Sequence, residues 1–125
     1  MKVIDIHWLC ETVKAVRPDI LVAVDNTFLT PIFQNPILLG ADIVVHSATK
    51  YLGGHNDILA GVGVAGRDDL AQKIEDTLVT RGQVLDSFSA WLLLRSLKTL
   101  HLRMARHNEN GHFLAEKLAS VSGVD

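Results

Sequence analysis

Ile20-Leu21-Val22-Ala23-Val24-Asp25 is an unbroken apolar run, rich in branched residues, that ends on a carboxylate. A run this short with no polar alternation predicts a strand buried on both faces, and hence a parallel one. Downstream, Asp42-Ile43-Val44-Val45-His46-Ser47 predicts a second strand. Leu59-Ala60-Gly61-Val62-Gly63-Val64-Ala65 predicts a third, whose glycines imply close approach of another backbone. Upstream, Asp5 can cap a helix whose apolar residues Ile6, Leu9, Cys10, Val13 and Val16 recur at three to four and stop before Pro18. A loop with Pro31 and Pro36 and a helical turn from Ile37 to Gly40 join the first two strands. Asp68 or Asp69 starts another helix. From Ser87 to about Ser120 the helical period persists without proline, as one long helix or two, and Gly111 is where a bend or break is expected.

Alternating strands and helices predict an α/β architecture, with helices covering a mainly parallel sheet and a long helical segment at about 86–120. About three strands with buried central faces need helices on both sides, and this chain supplies few before its helical end. The topology is therefore incomplete as it stands.

With 125 residues the chain makes one compact domain with a real core. Nearly half the residues (48%) are apolar and the net charge is -2, with both signs interspersed, which argues against disorder and against a nucleic-acid partner. The longest apolar runs, such as Ile20 to Val24 and Trp91 to Leu94, are far short of the ~20 residues that cross a bilayer, so no membrane partner is expected. No secretory pattern opens the sequence, and its single cysteine forms no internal disulfide, so a cytoplasmic home is expected. Cys10 lies on the apolar helix face and reads as a small buried hydrophobe.

Ligands of open α/β sheets bind beyond the carboxyl ends of the strands, and two such ends here carry Asp25 and Lys50. If the strands are neighbours, these ends are on the order of 5 to 10 Å apart, comparable to a substituted pyridine ring. A lysine there can form an imine with an aldehyde. A carboxylate can pair with a protonated ring nitrogen and keep the ring an electron sink. Ser47 and Thr49 are two apart, so in an extended segment their hydroxyls point the same way, toward a phosphate, while Lys50 points elsewhere.

Val24-Asp25-Asn26-Thr27-Phe28, followed by His46-Ser47-Ala48-Thr49-Lys50-Tyr51-Leu52-Gly53-Gly54-His55-Asn56-Asp57 and by Leu97-Lys98-Thr99-Leu100-His101-Leu102-Arg103-Met104, resembles the Cys/Met metabolism family of pyridoxal 5'-phosphate (PLP) enzymes. The order and spacing of the three blocks match over essentially the whole chain. The resemblance implies part of a fold type I, aminotransferase-like large domain, with residues 1–125 a partial PLP-binding domain and the helical segment leading toward a further, C-terminal domain. It implies that Lys50 forms the internal aldimine and moves protons, that Asp25 pairs with the pyridine nitrogen, and that Ser47 and Thr49 hold the phosphate. The implied chemistry is transsulfuration: C–S bonds of cystathionine-type, sulfur amino-acid substrates made or broken by β- or γ-elimination or replacement. Synthases and lyases share the residues quoted.

Members of that family are much longer, and this chain matches their middle. The family's ring-stacking aromatic, its phosphate-reaching Tyr and Arg from a neighbouring subunit, and its carboxylate-gripping Arg have no counterpart here. Uncovered apolar faces are expected in consequence, and with them a homo-oligomer. A second reading is a non-catalytic folding or oligomerisation unit.

His46, His55 and Asp57 show no metal-ligand spacing, so no metal is expected. His101, His107 and His112 share a helix with Arg103 and Arg106 on what reads as a partly solvated face. Trp91, Leu94 and Met104 read as core or subunit contact. Gly53 and Gly54 precede no helix as a nucleotide loop requires, and read as letting the backbone turn close to a cofactor.

Overall fold

In the computed structural model, which describes residues 3–124, helix α1 spans Ile6–Val16. The Asp5 carboxylate caps it by accepting from the Trp8 amide at 3.0 Å, and the chain leaves the helix at Arg17, before Pro18. One face carries Cys10 into a small core with Val22 and Ala41. The helix rests on a 3-10 helix, Pro36–Leu39, which ends on Gly40 at φ 99°, a left-handed cap that glycine adopts freely. A β-carbon at Gly40 would also meet Cys10 Cβ at 3.1 Å.

The sheet has three strands, β1 (Ala23–Asp25), β2 (Ile43–Ser47) and β3 (Gly61–Ala65), in the order β1-β2-β3. β1 and β2 are parallel neighbours, with Ala23 opposite Ile43 and Asp25 opposite Val45. β2 and β3 are antiparallel, with Ile43 opposite Ala65 and Ser47 opposite Gly61. The sheet is thus mixed, where a mainly parallel one was expected. A glycine-bearing apolar run marks a strand, here Gly61–Ala65 rather than the full Leu59–Ala65, but not its direction, which depends on how residues 48–60 turn back. The run expected to be buried on both faces is also a shorter, more open strand. Ile20, Leu21 and Ala23 are exposed and Val22 is buried, because β1 stands at the rim and only its last three residues pair.

Asp42 ties this edge together. Its carboxylate accepts from the Val22 amide at 2.9 Å and from Lys14 Nζ at 3.1 Å, with the Arg67 guanidinium 3.7 Å away. Burial pushes its carboxyl up, but the Val22 amide and the two cations together leave it below the usual carboxylate range.

Helix α2, Thr30–Phe33, falls where a loop was expected. Helix α3, Asp68–Arg81, starts as expected and ends on Gly82 at φ 67°. The C-terminal helical segment is two helices, α4 (Ser87–Leu97) and α5 (Leu100–Ala119). The break falls at Lys98 and Thr99, whose amides bond back three residues to Arg95 and Ser96, while Gly111 sits unbroken inside α5. Ala48, Leu52, Ile58 and Leu93 form a second small core under the turn after β2. Large apolar side chains are nevertheless open to solvent, among them Leu59, Phe88, Trp91 and Leu94, which agrees with the expected uncovered faces. Of the stripe Trp91, Leu94 and Met104, only Met104 is core.

Candidate functional site

Parallel pairing puts the carboxyl ends of β1 and β2 side by side, about 4.8 Å apart. The ladder runs one residue further through the Asn26 amide, which donates to the Val45 carbonyl at 2.9 Å. Asp25 then turns the chain, its carboxylate accepting from the Thr27 amide at 3.0 Å. The Thr27 hydroxyl, and after it this amide, hold the exposed Asp25 carboxyl below the usual carboxylate range. The Thr27 hydroxyl oxygen also accepts from the Ser47 amide at 2.8 Å, joining the segment after β1 to the last residue of β2.

Asn26 is buried and fully used. Its amide nitrogen donates to the carbonyls of Thr30 at 3.1 Å and Gln34 at 2.9 Å, and its oxygen accepts from Gln34 Nε2 at 2.8 Å. That network fixes the loop from which Phe28 and Leu29 project, and holds Thr30 at φ 57°. Behind it His46 is buried on β2, with no hydrogen-bond partner for Nδ1 among the described residues. Burial lowers its pKa, and the Asp25 charge opposes that.

β2 ends at Ser47 and a tight turn follows, so Ser47 and Thr49 do not share one extended segment as expected. Both are half-buried and Lys50 is exposed. The Thr49 hydroxyl accepts from the Ala60 amide at 3.1 Å, with the Ala60 carbonyl 3.4 Å away, beyond the range of a strong O–H bond. Three bonds shape the turn: Lys50 amide to Ser47 carbonyl at 3.1 Å, Gly53 amide to Ala48 carbonyl at 2.8 Å, and Gly54 amide to Lys50 carbonyl at 2.7 Å. His55 Nδ1 lies 2.7 Å from the Gly53 carbonyl, within hydrogen-bond distance.

Arg103 departs from its expected place on a solvated face. Its half-buried guanidinium donates to the Tyr51 carbonyl at 2.6 Å and the Leu52 carbonyl at 3.4 Å. It also reaches the Ser96 carbonyl at 2.9 Å and the Thr99 hydroxyl at 3.0 Å. The glycines after the turn find their reason here. A β-carbon at Gly54, where φ is 77°, would meet Arg103 Cζ at 2.8 Å, and one at Gly53 would meet the Ala48 carbonyl at 2.8 Å. What approaches this backbone closely is the protein itself.

Beside the turn, Tyr51 meets Phe28 edge-on with centroids 6.4 Å apart, and His107 at 5.0 Å. A cleft of about 390 Å³ opens here, lined by Phe28, Phe33, Tyr51, Met104, His107 and His112. Neither Asp25 nor Lys50 lines it, so it adjoins the strand-end site without being that site.

The sequence profile of the Cys/Met metabolism PLP-dependent enzymes matches residues 1–125. The chain belongs to that family. It is 47% identical over 124 residues to a cystathionine beta-lyase of Lactococcus lactis, covering 99% of this chain and 32% of the lyase. It is 44% identical over 120 residues to a cystathionine gamma-synthase of Haemophilus influenzae, covering 93% of this chain and 32% of the synthase. The crystal structure of a cystathionine gamma-lyase from Lactobacillus plantarum complexed with L-serine superposes with a TM-score of 0.93 at 39% identity, over 97% of this chain and 31% of the lyase. The fold is accordingly the α/β fold of these PLP-dependent enzymes, and the chain spans about a third of the relatives' length.

The structure brings the end bearing Asp25 and the end bearing Ser47, Thr49 and Lys50 together on one rim. Reading the residues did not single out Asn26, Thr27 or Arg103. Asn26 and Thr27 stood in plain view as an Asp-Asn-Thr turn, whereas no local signal marks Arg103, whose partners are backbone carbonyls some 50 positions away. Among the described residues no three His, Cys, Asp or Glu side chains gather as metal ligands, and no helix is long and apolar enough to cross a membrane.

Proposed function

We propose that this chain is the PLP-binding central part of a transsulfuration enzyme that makes or breaks C–S bonds of cystathionine-type amino acids. The observation that carries the reading is the parallel β1–β2 pair, with Asp25 ending one strand and Ser47, three residues before Lys50, ending its neighbour, the two ends joined by the Thr27–Ser47 bond. The donor chemistry suits the cofactor. An exposed amine at Lys50 can condense with its aldehyde, releasing water. A carboxylate at Asp25 that stays ionised can hold a proton on its ring nitrogen. The hydroxyls of Ser47 and Thr49 can donate to its phosphate, Thr49 by exchanging its long 3.4 Å contact with the Ala60 carbonyl for a phosphate oxygen. When bound, PLP supplies the electron sink that loosens bonds at the substrate Cα. Lys50 then serves as the base that takes and returns the proton there.

In this reading residues 1–125 are part of the cofactor domain, with the 86–120 helical segment leading toward a C-terminal domain, and the whole protein is a cytoplasmic homo-oligomer acting on sulfur amino acids. Support comes from family membership and from the exposed apolar side chains of α4. Those same side chains favour a second reading, in which these residues serve only as a folding and association unit.

Titration with PLP decides between them. The first reading expects a visible absorbance band, fixed by borohydride as a covalent label on Lys50 and lost in Lys50→Ala. No band from a chain that still associates would overturn it in favour of the second.

A further inference from the structure

Arg103 is a cation whose hydrogen bonds go to three backbone carbonyls and one hydroxyl, and to no carboxylate. A guanidinium has five N–H donors in a fixed fork, and four are used here. Taking it even partly out of water without a counter-ion is costly, so this arrangement persists only because each bond is made. Two of the carbonyls, on Tyr51 and Leu52, directly follow Lys50. A third, on Ser96, lies at the end of α4 and also accepts from the Thr99 amide and hydroxyl, and a positive charge there suits the helix dipole.

The amide and carbonyl of Lys50 are themselves tied, to Ser47 and Gly54. The turn is therefore bonded to itself on its inner side and to the α4–α5 junction on its outer side. Gly54 is the concession that admits the guanidinium, since both its φ of 77° and the space Arg103 fills exclude a side chain.

We propose that Arg103 is a positioning residue that clamps the turn after β2 so that the Lys50 amine is presented beside Asp25 rather than left to swing. The inference rests on the proposed PLP site, but the clamp is measurable without cofactor. A lysine in its place keeps the charge yet cannot span the three carbonyls, because an ammonium is a point donor and not a fork.

The test compares the full chain with Arg103→Met, Arg103→Lys and Thr99→Val, the last removing only the hydroxyl that steadies the guanidinium. Without PLP, amide hydrogen exchange read by NMR should speed up at Gly53 and Gly54 by about tenfold or more in Arg103→Met and Arg103→Lys, and by less in Thr99→Val. The strand amides of Val44 and Val64 should hold their wild-type rates. With PLP and borohydride below the melting temperature, peptide mapping should place the wild-type label on Lys50 and show it spreading to Lys14, Lys73, Lys98 and Lys117 in the Arg103 variants. Unchanged exchange at Gly53 and Gly54, an equal rise at every amide, or undiminished selectivity for Lys50 would each overturn the clamp. Should Arg103→Met not fold, Arg103→Lys and Thr99→Val carry the same comparison. A wild-type chain that captures no PLP sinks the functional reading, while the exchange rates still decide the clamp.

Discussion

The Ser47 amide donates to the Thr27 hydroxyl oxygen at 2.8 Å, so the two strand ends of the site are sewn together by a side chain where the backbone ladder stops. Thr27→Val removes the acceptor and keeps the shape. It should cost about 1 to 3 kcal/mol in urea unfolding, the usual penalty for leaving a partly buried amide unpaired. Thr27→Ser should lose much less, and equal losses in the two variants would mean that the methyl group, not the oxygen, matters.

Asp25→Asn keeps an oxygen for the Thr27 amide and removes the charge. Its unfolding midpoint should stay near wild type, while the PLP band weakens or shifts because nothing holds the ring proton. Asp25 is depressed in the folded chain, by the Thr27 hydroxyl first and its amide second. It therefore favours the fold above the ordinary carboxylate pKa, and that contribution fades as pH falls through the folded value. Acid titration of the wild-type band should follow the same sense. A band that strengthened as pH dropped would contradict it.

Asp42→Ala strips the acceptor from the Val22 amide and leaves Lys14 with only the Gly40 carbonyl. Breaking this part-buried pair and leaving the Val22 amide unpaired should cost about 1 to 3 kcal/mol. Because the net effect is a lowered pKa despite burial, wild-type stability should decline below about pH 4 more steeply than that of the variant. Parallel pH profiles would remove Asp42 from the acid response.

Phe88 and Trp91 stack with centroids 5.9 Å apart and interplanar angle 25°, yet they are 66% and 55% exposed. If this face is where copies meet, sedimentation velocity should show concentration-dependent association of the wild-type chain. Trp91→Glu should push it toward monomer with the far-UV spectrum unchanged. An unaltered mass distribution would place the contact elsewhere.

Helix starts were legible because their signals are local: the Asp5 cap and the acidic first turn at Asp68 and Asp69 announce themselves within four residues. The second strand was legible for a similar reason, being short, apolar and flanked by turn residues. Strand direction was not, since β3 pairs antiparallel only through the path of residues 48–60. Nor was the length of β1, because Ile20 and Leu21 keep a strand's composition although the ladder with β2 begins only at Ala23. The helical break was sought at Gly111, where intrinsic propensity is lowest, but it falls at Lys98 and Thr99, beside the buried Ser96 and Leu100. At the site, residue types and order gave Asp25 and Lys50, while the bonds that orient them come from Thr27 and Arg103, across distances in sequence that local pattern does not reach.

With β1 outermost in the sheet, one row of its peptide groups faces away from β2. An extended segment docking along that row would lie next to Asp25, and on the function proposed above completing the sheet would also wall in one side of the cofactor site.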